Sequence, residues 1–383
     1  MKEKDEFQLG KVSLLTVAHF FHDIYTAFLA PLLPLLRDTM GISLTFAGLL
    51  SVVQRLPTLL NPLVGMLAER TKARYFVILT PAITAVAMSL VPVAPNKITL
   101  ILLVLLSGIS SSFFHVPSPV MMRKVSGKRI GMGMSFYMVG GELARSAGPV
   151  AVLGAVELWG LNGVTYFIPT GLLASTLLFF RLRNISIAES VSNDSGLEYF
   201  KTFKRFLPLI SNIALILFFR AAMKSALTFY LPVFLHSRGE SLWFAGIALS
   251  ILQAAGVIGT FFAGTISDKI GRRNALIIAT LGAPVFFFFF LISTGMLQIV
   301  ILIITGLFLF ATGPVFLAIV NEYKTAHHNF VNAVFMTTTF LIGALMVLLV
   351  GIMGDSLSLE ATYKIVGAVA FLSVPFAFKI PKN

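Results

Sequence analysis

His19, His22 and Asp23 stand at positions i, i+3 and i+4, a spacing that sets two imidazoles and a carboxylate on one side of a helix. Glu142 and Arg145 are three apart, Arg220 and Lys224 four apart, and Arg55 and His115 stand singly. All nine lie within long apolar runs. A charge at the centre of a membrane helix costs about 2.5–3.5 kcal/mol on insertion scales, so such groups must face protein or water and mark a path. Two kinds of chemistry follow. Asp23, helped by His19 and His22 and joined by Glu142, is suited to exchanging protons. Arg55, His115, Arg145, Arg220 and Lys224 are suited to holding an anion. Plainer roles compete: Glu142 and Arg145 can neutralise one another along their helix, Lys224 can snorkel to an interface, and His115 can be a packing residue.

The elements that must position these groups are membrane spans. The chain of 383 residues is 57% hydrophobic and 12% charged, against about 25% charged in soluble domains. A spanning helix needs about 20 mostly apolar residues. On that basis spans are expected near 13–36, 46–68, 75–94, 98–122, 130–155 and 163–181. A second set is expected near 207–235, 242–266, 274–293, 297–320, 329–353 and 361–379. The fold class is therefore an all-α membrane protein of about twelve transmembrane helices in two pseudo-symmetric six-helix bundles. The bundles occupy residues 1–181 and 206–383, with a polar cytoplasmic linker at 182–205. With both termini cytoplasmic, only Arg37, Lys97, Arg238 and Lys364 among the loop cations fall outside, and the rest fall inside. This is the pattern of a multi-pass protein of the cell (inner, cytoplasmic) membrane. Spans three, six and nine carry no interior charge and are expected to face lipid. The net charge of +13 lies in short segments between apolar runs, which argues against a nucleic-acid partner.

A basic, glycine-led decapeptide occurs once in each half, as Gly65-Met-Leu-Ala-Glu-Arg-Thr-Lys-Ala-Arg74 and Gly264-Thr-Ile-Ser-Asp-Lys-Ile-Gly-Arg-Arg273. At nearly the same offset, Ser51-Val-Val-Gln54 recurs as Ser250-Ile-Leu-Gln253 and Leu33-Pro34 as Leu231-Pro232. Duplicated halves with a site between them are a transporter plan. The offset carries Asp23 to position 221, beside Arg220. The repeat thus predicts an acidic face on the first span opposite a basic face on the seventh.

The decapeptide resembles the loop signature of the major facilitator superfamily, roughly G-x-x-x-[DE]-R-x-G-R-[RK]. Gly264, Asp268, Gly271, Arg272 and Arg273 fit it well. In the first copy Gly65, Glu69, Arg70 and Arg74 stand, but Lys72 and Ala73 depart from it. The resemblance implies that these loops form a cytoplasmic charge latch holding one conformation. Ala18-His-Phe-Phe-His-Asp-Ile-Tyr25, Phe114-His-Val-Pro117, Tyr137-Met-Val-Gly-Gly-Glu142 and Ala147-Gly-Pro149 resemble segments of the fosmidomycin-resistance branch. Glu142 stands where that branch has asparagine and Arg145 where it has a small polar residue, which adds a charge pair.

These features predict a secondary active transporter working by alternating access, not an enzyme. It is expected to be a proton-coupled exporter, an antiporter, of a small organic and anionic compound or drug. A carboxylate alternating between a desolvated setting and one beside arginine loads and releases a proton. Four fixed cations, Arg55, Arg145, Arg220 and Lys224, outnumber Asp23 and Glu142, which favours an anionic cargo. The alternative is an organic-anion uniporter or importer without proton exchange; a polytopic membrane enzyme or receptor is more remote. No metal-ligand or nucleophile–base spacing recurs, and His327-His328 are adjacent in a loop. No metal or other cofactor is expected, and the partners are the small-molecule substrate, protons and the lipid bilayer. The protein is expected to act as a monomer.

Overall fold

A computed structural model describes residues 7–61, 64, 67, 74–127, 130–183, 196–325 and 328–381. Within them the chain is helical, and the apolar runs account for the helices. The first run forms α1 (Leu9–Thr26) and α2 (Leu29–Met40), the latter closed by Gly41 in the left-handed region at φ 57°. The second forms α3 (Leu44–Arg55), continued by a 3₁₀ turn over Leu56–Leu60. The Asp355 carboxylate accepts from the amides of Leu44 and Thr45 at 2.9 and 2.7 Å, satisfying the free donors where α3 begins. Next come α4 (Arg74–Ser89), α5 (Lys97–His115), α6 (Pro117–Val125), α7 (Ile130–Trp159) and α8 (Ile168–Leu182). Asn96 caps α5 by accepting from the amide of Thr99 at 2.9 Å. Pro117, at the first position of α6, ends α5 at His115.

The second half supplies α9 (Gly196–Ser225), a π-turn at Ala226–Tyr230, α10 (Leu231–Ser237), α11 (Leu242–Ile270) and α12 (Arg272–Ile292). It ends with α13 (Gly295–Asn321), α14 (His328–Leu357), α15 (Leu359–Ala370) and the short α16 (Val374–Ala377). Gly271, at φ 86°, makes the break between α11 and α12 that the second decapeptide supplies. Ten stretches are long and apolar enough to cross a membrane, from Leu9–Met40 to Leu359–Ala377. The shorter apolar helix Leu44–Leu60 and the 30-residue α7 complete the expected set.

The chain divides into two compact units. One comprises Met1–Ile42, Leu49–Ser190 and Leu235–Ser250; the other comprises Ser43–Gly48, Val191–Phe234 and Ile251–Asn383. Each encloses its own apolar core. In the first unit Val12, Leu15, Ala18, Val77, Phe114 and Leu178 pack together. In the second the core includes Phe206, Ile213, Leu276, Phe316 and Phe335. Outward-facing Leu102, Leu173, Phe180 and Phe261 leave an apolar exterior suited to lipid.

One expectation about the support helices changes. The third span, Arg74–Val93, is the most buried of the ten, with 61% of its apolar window covered. It packs against α1, α5 and α8. Lipid and protein interior are equally apolar, so an absence of charge does not tell one from the other.

Close helix contacts in the first unit rest on glycine. A Cβ at Gly108 in α5 would stand 2.1 Å from the carbonyl oxygen of Gln54 in α3. Gly108→Val is therefore expected to destabilise the purified protein by about 1–3 kcal/mol, the usual range for overpacking. A thermal melt in detergent checks this, and an unchanged melting temperature would show that the contact is not tight.

Candidate functional site

α1, α5 and α7 of the first unit bring the predicted proton-exchanging groups together. The Asp23 side chain is 5% exposed and that of His19 6%. His19 Nε2 lies 3.3 Å from Asp23 Oδ2, as the i, i+4 spacing requires. His115, expected on sequence grounds among the anion-holding residues, joins this cluster: its Nε2 is 3.2 Å from Asp23 Oδ1 and 3.2 Å from His19 Nε2. It is the last residue of α5, two before the Pro117 that opens α6. The His115 side chain is 35% exposed, so the cluster is open on that side. From α7, Arg145 reaches within 3.7 Å of Asp23 Oδ2 and pairs with Glu142, including a 3.3 Å bond from Nε to Oε2. Glu142 and Arg145 thus neutralise one another as spacing suggests, and the arginine also faces Asp23.

Backbone carbonyls orient both imidazoles. His19 Nδ1 is 2.8 Å from the Tyr137 carbonyl and His115 Nδ1 is 2.9 Å from that of Ser111. A carbonyl only accepts, so each Nδ1 carries the hydrogen. In the neutral rings both Nε2 atoms are then bare lone pairs, and they converge on a carboxylate. Tyr137 also stacks on His19 with centroids 4.0 Å apart and holds Ser118 through its hydroxyl at 2.6 Å. Gly141 makes room for the cluster: a Cβ there would stand 2.8 Å from His19 Nε2 and 3.2 Å from Asp23 Oδ2.

His22 points elsewhere. It is fully buried, stacks on Phe114 at 4.3 Å, and faces Thr84 Oγ1 at 3.3 Å. Thr84 is bound to Ser110 at 2.7 Å, and Ser110 donates to the Thr80 carbonyl. His22 Nε2 is buried with no partner among the described residues. Arg55, at the end of α3, is half-buried, and its side chain makes no hydrogen bond or ion pair with the described residues.

In the second unit Arg220 of α9 is 5% exposed. It donates to Thr312 Oγ1 and, at 3.3 and 3.4 Å, to the carbonyls of Leu309 and Phe308, all from α13. Its Nε has no partner, and it forms no ion pair among the described residues. Lys224 is exposed, with its ammonium 5.0 Å from the Phe310 ring centroid. Asp23 and Arg220 belong to different units.

The second decapeptide carries a charge network. Arg272 pairs with Asp268 and, at 2.7 Å, with Glu322, and it donates to Ser267. Arg273 lies over Phe378 at 5.5 Å. Gly264 has open space where a Cβ would stand, so close packing does not require it. Of the first copy, Gly65, Glu69 and Arg70 lie outside the described residues, as does His327; Arg74 lies over Tyr75 at 5.3 Å.

Sequence reasoning did not single out Tyr137, Gly141, Thr312 or Glu322. The first two sit inside a quoted motif, Tyr137-Met-Val-Gly-Gly-Glu142, whose glycines were the available signal. Thr312 and Glu322 carry no local signal, because their partners are far away in the chain.

Comparison with known proteins bears on the family and the fold. The family described as Major Facilitator Superfamily matches residues 15–347 and 257–383. The fosmidomycin resistance protein of Escherichia coli (strain K12) is 26% identical over 99% of this chain and 95% of its own length. The uncharacterized MFS-type transporter YfnC of Bacillus subtilis (strain 168) is 22% identical over 97% and 92%. Among solved structures, a bacterial homologue of the human lysosomal transporter Spinster, inward-facing and unoccupied, superposes with a TM-score of 0.83. That match has 15% identity and covers 97% of this chain and 96% of the other, a likeness of fold alone. The matched family and the matched solved structure are of transporters, not enzymes. An all-helical, multi-pass chain with this match along its length belongs to the Major Facilitator Superfamily.

Proposed function

We propose that this transporter is a proton-coupled exporter of a small organic anion, exchanging cargo for protons by alternating access in the cell membrane. The observation that carries the reading is the convergence of His19 Nε2, His115 Nε2 and the Asp23 carboxylate within 3.2–3.3 Å. With both Nδ1 hydrogens given to carbonyls, three acceptors face one another, and a proton between them relieves the repulsion. Arg145, within 3.7 Å, competes with that proton for Asp23. Its approach or withdrawal during the cycle would release or load it. Glu142, which holds Arg145, is the second carboxylate of this switch, and His22 is the neighbouring buried base.

The anionic cargo is supported by Arg220. A desolvated guanidinium without a carboxylate is costly to keep. A cargo anion that offsets this charge for part of the cycle gives it a use. Arg55, accessible and without a described partner, and Lys224 are the other cations of this reading. Export is favoured by the relative named for fosmidomycin resistance. The bundles 1–181 and 206–383 would move as units about the linker 182–205, with both termini cytoplasmic and the protein acting as a monomer. The Asp268–Arg272–Glu322 network, with Gly264 and Arg273, and its counterpart around Arg74 would latch one state.

Two measurements test this. In proteoliposomes with an imposed pH gradient, Asp23→Asn is expected to reduce flux of fosmidomycin, or of a phosphonate or carboxylate probe, to that of empty liposomes. Wild-type flux in the variant, or wild-type flux that ignores the gradient, would favour uniport. Arg220→Ala is expected to weaken affinity for an anionic probe by about 10–100-fold, the worth of a charged hydrogen bond of about 1.5–3 kcal/mol, while Arg220→Lys retains most of it. Unchanged affinity in Arg220→Ala would remove the anion assignment.

A further inference from the structure

We infer that His19, Asp23 and His115 also form a binding site for one divalent transition-metal ion, with zinc the best fit, taken up from outside rather than held as a resident cofactor. Ligand atoms of the three residues all lie within 4.8 Å of one another. Their closest separations are 3.3 Å (His19 to Asp23), 3.2 Å (His115 to Asp23) and 3.2 Å (His19 to His115). Zinc binds imidazole nitrogen and carboxylate oxygen at about 2.0–2.1 Å in tetrahedral geometry, which sets neighbouring donors about 3.3 Å apart. The carboxylate turns one oxygen to each ring, Oδ2 to His19 and Oδ1 to His115, and a modest rotation of the Asp23 carboxyl group brings one oxygen and both Nε2 atoms to that spacing.

Direction matters as much as distance. A metal-binding histidine usually donates its other ring N–H to a carbonyl or carboxylate, which fixes its tautomer and aims the free lone pair. Here the carbonyls of Tyr137 and Ser111 serve both rings, at 2.8 and 2.9 Å. Asp23 Oδ1 is buried and receives no hydrogen bond among the described residues. Two imidazoles and a carboxylate without thiolate suit zinc, nickel, copper or iron better than calcium or magnesium. Three protein ligands leave one position open, the arrangement of zinc sites that bind an exchangeable molecule. The exposed side of His115 gives access to it, so water or an oxygen of the cargo completes the shell. Arg145 opposes a cation at Asp23, but its pairing with Glu142 leaves the pair neutral and the cluster with the charge of Asp23. No local spacing announces such a site, because the third ligand comes from another span.

This inference does not depend on proton coupling, since binding is read at equilibrium without flux. The experiment uses the full-length chain in detergent, freed of its affinity tag and stripped with a chelator. Zinc is titrated by calorimetry, and cobalt(II) by visible absorption. The expected result is one ion per chain and a cobalt spectrum of low-coordinate nitrogen and oxygen ligation. His115→Ala and the near-isosteric Asp23→Asn are each expected to weaken zinc binding by more than about 100-fold, beyond the 10–100-fold typical of losing an outer partner of a ligand. Replacing His327 and His328 together by alanine is expected to change affinity less than threefold. Three results would overturn the site: no binding by the wild type, wild-type affinity in Asp23→Asn or His115→Ala, or loss of binding with His327 and His328. Metal-free melting curves identify any variant that fails to fold. If both ligand variants fail, the ligand signature of the wild-type cobalt spectrum decides.

Discussion

Burial of the Asp23 carboxylate in an apolar helix is the constraint to which the rest of the site answers. Water does not solvate it, so protein must, and every nearby choice serves that need. His19 sits one turn before it on the same helix, His115 enters at the proline-terminated end of α5, and Arg145 comes from α7 with Glu142 as its own counter-ion. Three helices must approach closely to deliver these groups. Glycine allows it: Gly140 packs on the Thr16 carbonyl, Gly141 on His19, and Gly148 on Ala27. Small residues at helix interfaces are the usual means of close approach where lipid offers no hydrophobic drive.

The second unit treats its buried charge differently. Among the described residues, Arg220 is met by a hydroxyl and two carbonyls and by no carboxylate. Partial charges of that kind hold a guanidinium in place without neutralising it. Asp23 of the first unit is thus faced by ionisable side chains, whereas the buried Arg220 of the second is held by neutral groups among the described residues.

Much of the fold was legible because hydropathy, span length and loop cations are local properties. The breaks within spans were less so. The π-turn at Ala226–Tyr230 contains neither glycine nor proline to signal it. The site was legible in part. The i, i+4 relation of His19 and Asp23 held because helix geometry fixes it. His22, next to Asp23 in sequence, is turned about 100° around the helix from it, and its ring meets Thr84 instead. His115 was visible only as an isolated histidine, since its partners arise from packing between helices. Arg272 was legible as part of a motif, but Glu322, 50 residues further along, was not.

The two carbonyls behind the histidines have a consequence for how the site can vary. Those of Tyr137 and Ser111 belong to the main chain of helices, so replacing either side chain leaves the acceptor in place. The aim of the imidazoles is thus written into backbone geometry, where alanine scanning does not see it. Neighbouring side chains are free to drift toward new cargoes while the tautomers stay fixed. Only a change that bends α5 or α7, such as a displaced proline or a bulkier residue at Gly141, would turn the lone pairs away.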